Sequence, residues 1–171
     1  MADLITHGCV ALLAKAPTPR RHVAAFVAGT LLPDLVSRVP SAALARIGRT
    51  GAPIDPTFIY WWDVLHLPIG MFGLAFTLAQ LFPAAERRAI FWNLFGGMLL
   101  HLAIDVMQSH LSSGYLLLWP FSTTGFELRW MGSEDSVFLV PFLVPFTWAI
   151  WRWTGARTAR RPLPPAPPSR A

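Results

Sequence analysis

Five ionisable side chains stand where an apolar chain has little room for them. His7, Asp34, His66, His101 and Asp105 all fall inside hydrophobic stretches. A charge at the middle of a membrane helix costs about 2.5–3.5 kcal/mol on insertion scales, so residues of this kind are kept for function or pairing. His101 and Asp105 are four positions apart and project from one helix face. That spacing suits two ligands of one divalent ion. It equally suits a carboxylate–imidazole hydrogen bond between helices. Imidazole nitrogen with carboxylate oxygen selects zinc first, with manganese or iron as the alternatives. A divalent ion with an open position lowers the pKa of its bound water to about 7 and makes hydroxide available. His110 and Asp63, expected near the same membrane face, are the candidate general bases. Three serines lie near His110 (Ser109, Ser112, Ser113), but no G-x-S-x-G elbow surrounds them. The pairs Gly70/Gly73 and Gly96/Gly97 read as close helix contacts, not as a phosphate loop.

These groups must be carried by apolar helices. Of the 171 residues, 54% are hydrophobic and only 13% charged, where a soluble domain carries roughly 25% charge. The mean hydropathy is +0.46. Such a chain cannot cover itself with polar surface. A cytosolic enzyme, a nucleic-acid module and a disordered protein are all poor fits, and the single cysteine, Cys9, excludes an internal disulfide or a Cys-rich zinc finger. Residues 4–14 and 22–36 read as short apolar helices. Residues 60–82 and 89–106 are long enough to span, and 136–153 is marginal because of Pro141 and Pro145. Residues 15–21, 37–58 and 83–88 read as connections. The expected fold is all-α: a polytopic transmembrane bundle of four to five helices, the first two short. Residues 1–153 form the membrane domain, and 154–171 a disordered Pro/Arg-rich tail. The N-terminal run is not read as a cleaved signal peptide, because Asp3 occupies the place of a positive n-region.

The basic residues orient this bundle. If all five segments cross, ten of the fourteen fall on one side and four (Arg38, Arg46, Arg49, Arg129) on the other. The richer side is cytoplasmic, which predicts an external N-terminus and an internal C-terminus. The net charge of +5 then records membrane orientation and contact with anionic lipid, not nucleic-acid binding. At 1.5 Å per residue from the cytoplasmic ends, Asp34 lies roughly 20 Å up, His101 roughly 18 Å, and His66 and Asp105 roughly 24 Å. His7 lies about 12 Å up its own segment. All five are expected within about two helical turns of one another in the outer half of the bilayer.

The motifs around these residues resemble those of the bacterial membrane-bound metal-dependent hydrolases of the LexA-regulated type. His7-Gly8 is similar to that family's early His-Gly, and Leu32-Pro33-Asp34 to the start of its Leu-Pro-Asp-x-Asp-His stretch. His66 falls at the last His of a His-Arg-Gly-x-Thr-His-Ser stretch. Gly97 through Asp105 resembles Gly-x-x-Ser-His-x-x-x-Asp, with Trp119-Pro120 following. The likeness covers roughly residues 5–121. Val36 and Ser37 replace the family's next Asp and His, and Trp61-Trp62-Asp63 replaces His-Arg-Gly, so at least two potential ligands are missing. The resemblance implies an inner-membrane protein and strengthens metal binding. The expected set is Asp34, His66, His101 and Asp105 on one ion, with His7 as a possible fifth ligand. The expected function is metal-dependent hydrolysis of an ester or phosphoester, with a small-molecule or lipid substrate entering from the bilayer or the outer aqueous side. The alternatives are a metal-binding scaffold without turnover and, ranked last, a proton or ion conduit.

Overall fold

The computed structural model describes residues 4–18, 20–51, 55, 62–109, 114–132 and 134–159, with the backbone alone described for 157–159. His110 therefore lies outside the described residues. Among the described residues, the architecture is carried by α1 (Leu4–Lys15), α2 (Val23–Pro33), α3 (Val39–Gly48), α4 (Pro68–Ala79), α5 (Ala84–Met107) and α6 (Val140–Ala159). A π-helical turn at Asp34–Arg38 joins α2 to α3, and a 3₁₀ turn at Asp135–Leu139 leads into α6. Among the described residues, three stretches are long and apolar enough to cross a membrane: Val23–Gly48, Ala84–Met107 and Asp135–Ala156. The all-α membrane bundle expected from the sequence is the fold observed.

The helix boundaries differ from expectation in three places. The second helix is not short. It runs on through Pro33 and Pro40 to Gly48, 26 residues in all, and absorbs part of the expected connection. Pro40 has no N–H for the Val36 carbonyl and its ring crowds that oxygen. The chain widens just ahead of it, and the Val39 N–H reaches five residues back to the Asp34 carbonyl. Conversely, the third segment is broken: residues 62–64 are helical, the chain turns at 65–67, and regular helix resumes as the 12 residues of α4, about 18 Å of helix against a hydrocarbon core of about 30 Å. Pro68 fixes its start, with Leu67 extended before it, and the chain turns at Gln80–Phe82 ahead of Pro83. The last helix tolerates both its prolines. Pro141 follows directly on the 3₁₀ turn, at the second position of α6, and Pro145 lies one turn further in. This helix continues to Ala159, so the first six residues of the expected tail are helical.

Packing centres on α5. It lies against α2 with contacts that climb both helices together, so the two run parallel. Gly29 and Gly97 make this approach possible. A Cβ on Gly29 would run into the Leu94 carbonyl, and one on Gly97 into the carbonyl of Phe26. Of the glycines singled out in the sequence, Gly97 and Gly70 make such contacts, while Gly96 meets only the Phe26 ring and Gly73 meets nothing. The core runs along one side of α5 (Ile90, Leu94, Met98, Leu102, Val106) against Met71, Ala75 and Ala79 of α4 and Tyr115. Segment 114–132 closes over the end of α5. Leu128 and Trp130 donate backbone hydrogen bonds to the Val106 and Met107 carbonyls, and Gln108–Ser109 pairs in parallel with Met131–Gly132. Finally, α6 is tied to α1 through Trp151 Nε1, which donates to the Leu12 carbonyl at 2.9 Å.

Candidate metal centre

Where α5 ends, four side chains from three parts of the chain meet. Asp34 opens the π-helical turn, His66 precedes α4, and His101 and Asp105 share a face of α5. All four are buried, and their ligand atoms lie within 4.8 Å of one another. Two donors on one zinc ion stand at most about 4 Å apart, given bonds of about 2.0–2.2 Å, so the widest pair must close by roughly 1 Å for all four to share one ion.

The protonation pattern follows from geometry. His101 Nδ1 lies 2.8 Å from the Thr30 carbonyl. A carbonyl only accepts, so Nδ1 carries the proton, and in the neutral ring Nε2 keeps its lone pair for a ligand bond. The close α2–α5 approach at Gly29 and Gly97 is what brings that carbonyl within reach. The free Nε2 faces His66 Nε2 at 3.2 Å, Asp105 Oδ2 at 3.3 Å and Asp34 Oδ1 at 3.8 Å. His66 Nε2 stands 2.9 Å from Asp105 Oδ2. A lone pair pointed at two carboxylates is repulsive without a positive charge between them. A proton on His66 Nε2 satisfies one of these contacts and leaves Asp34 unserved. Asp34 Oδ2 is itself buried with no hydrogen-bond partner among the described residues, an arrangement that costs the full desolvation of that oxygen. The donor set fits a divalent cation.

The surrounding groups hold these ligands in place. Tyr115 donates its hydroxyl to Asp105 Oδ2 at 2.8 Å. Tyr115 is set by Gly114, whose φ of 89° favours glycine and where a Cβ would press on the Phe126 backbone. Burial pushes the Tyr115 phenol above its ordinary range, and the Asp105 charge adds to that, so the group stays a donor. His7 approaches the other Asp105 oxygen, Nε2 to Oδ1 at 3.3 Å, and stacks on the His101 ring with centroids 4.2 Å apart. It adjoins the four-residue group without being part of it. Asp63, expected as a general base, is 40% exposed and stands 3.8 Å from Arg38 Nη1, apart from the four.

A family model described as YdjM inner membrane protein matches residues 3–163. The chain belongs to that family. Comparison with curated proteins gives no match, and comparison with solved structures gives none. Membership of the YdjM inner membrane protein family and the three apolar spans together make this a membrane protein. Sequence reasoning found the four converging residues but missed Thr30, Tyr115 and Arg38. Arg38 had one available signal, its place one turn beyond Asp34. Thr30 acts through its carbonyl, which no residue type announces.

Proposed function

We propose that this protein is a membrane-bound metal-dependent hydrolase acting on an ester or phosphoester, with Asp34, His66, His101 and Asp105 as ligands of one divalent ion. The observation that carries the reading is the convergence of four buried donor groups within 4.8 Å, with His101 Nε2 turned toward both carboxylates. The ion, zinc first among the candidates, would supply a bound water acidic enough to ionise near neutral pH. The protein's own groups do the rest. The Thr30 carbonyl fixes the His101 tautomer, Tyr115 holds one oxygen of Asp105, and the closed α2–α5 contact keeps bulk water from the inner end of the site. Asp63 we assign to holding Arg38 in place of the general-base role expected for it.

A second reading, a metal-binding scaffold without turnover, draws on Ser37. It is fully buried with its hydroxyl unpartnered among the described residues, at a position where the resemblance calls for a histidine. One experiment separates the two. Full-length protein loaded with zinc or manganese is assayed on 4-nitrophenyl phosphate and 4-nitrophenyl acetate, beside His101→Ala. Turnover that is lost in the variant supports the hydrolase; stoichiometric metal with no product in either sample supports the scaffold.

A further inference from the structure

Among the described residues, Arg38 is the one cation joined to this cluster through a hydrogen-bonded side chain. It closes the π-helical turn that Asp34 opens. Its Nη2 donates to the Tyr115 hydroxyl at 3.4 Å, and that hydroxyl donates onward to Asp105 Oδ2 at 2.8 Å. One shared hydroxyl therefore separates the guanidinium from a metal-ligand candidate. The guanidinium has five N–H donors, and this long bond is its single hydrogen bond among the described residues. The Asp63 contact, at 3.8 Å, is too long to be one. The side chain is 37% exposed, so it is neither sealed in the core nor free in water. A guanidinium with unused donors, fixed beside a site of this kind, is built for a planar or tetrahedral oxyanion. Leu35 and Val39, on either side of it, are exposed and apolar, so the approach to Arg38 passes along a greasy surface.

We infer that Arg38 binds the anionic phosphoryl oxygens of the substrate, which makes the substrate class a phosphoester and not a neutral carboxylic ester. This rests on the hydrolase reading for its chemistry but on Arg38 alone for its anion. A phosphoryl group offers two charged oxygens, one for the cluster and one for the guanidinium. A carboxylic ester has no net charge to gain from Arg38. The Asp63 carboxylate, 3.8 Å from Nη1, is a negative charge that competes with an anion for the same guanidinium.

The test is binding of inorganic phosphate to the purified, metal-loaded full chain by titration calorimetry, with metal content measured on the same samples. Arg38→Gln is expected to weaken phosphate binding by about tenfold or more, the scale of one charge-assisted contact. Its metal content should equal that of the wild type. Asp63→Asn is expected to tighten phosphate, because it removes the competing carboxylate. Arg49→Gln, an exposed change at the far end of α3, should leave both unchanged. Phosphate affinity equal in wild type and Arg38→Gln overturns the inference, as does an Asp63→Asn variant that binds phosphate more weakly. Should Arg38→Gln fail to fold, Asp63→Asn carries the test. Phosphatidic acid in mixed micelles that displaces phosphate, where diacylglycerol does not, assigns the phosphoryl group to a lipid; failure to displace it assigns a water-soluble phosphoester. A protein that turns over neither nitrophenyl ester, yet loses phosphate with Arg38, counts against the hydrolase reading and overturns the substrate assignment, leaving Arg38 as a phosphate-binding residue only.

Discussion

Helices α5 and α6 look alike by composition and behave differently. The spans that contain them are 24 and 22 residues long with closely similar mean hydropathy, yet 44% of the apolar stretch of the first is buried inside the protein against 6% of the second. On α5 the buried face carries Ile90, Leu94, Met98 and then His101 and Asp105. On α6 the large side chains Phe142, Phe146 and Trp148 all point outward. Lipid tails are as apolar as leucine, so hydropathy alone does not say which face meets protein. The small and ionisable residues do. Gly97, His101 and Asp105 mark the packed face of α5, and α6 has no ionisable residue between Asp135 and Arg152.

That contrast can be broken at specific positions. Gly97→Val forces a branched side chain into the Phe26 carbonyl and should separate α2 from α5. We expect a loss of about 3 kcal/mol or more, the upper range for overpacking, read as a lowered Tm in detergent. Tyr115→Phe removes one hydrogen bond to Asp105 while keeping the ring stacked near His66 at 5.5 Å. It should weaken metal affinity by about 10-fold, the lower end for partners of metal ligands, with little change in Tm; calorimetric metal titration checks this. Phe142→Leu changes a 74% exposed, lipid-facing side chain on α6 and should shift stability by no more than about 0.5 kcal/mol. If Phe142→Leu is as damaging as Gly97→Val, α6 has a protein partner on that face and the contrast fails.

Much of the site was legible because charge in an apolar helix is rare. The i, i+4 spacing placed His101 and Asp105 together, and counting depth from the basic ends brought Asp34 and His66 to the same level. The helix limits were harder to read. Pro33 and Pro40 suggest a break, but a π-helical turn absorbs Pro40 and carries the helix on to Gly48. The apolar run 60–82 suggests a span, but the turn at 65–67 ahead of Pro68 breaks the helix, and the turn at Gln80–Phe82 ends α4. Apolar composition sets where a chain can be buried, whereas helix ends depend on which backbone groups find partners, and those partners are distant in sequence. Tyr115 and Thr30 escaped for the same reason: each acts on a residue brought near only by folding.

The central claim is that Asp34, His66, His101 and Asp105 share one cation. It is tested most directly by elemental analysis of the full chain purified from membranes, wild type beside the His101→Ala/Asp105→Ala double variant. The expected result is about one divalent transition-metal ion per chain in the wild type and none above background in a double variant that still folds as a helical membrane protein by circular dichroism. Equal metal content in the two proteins would contradict it.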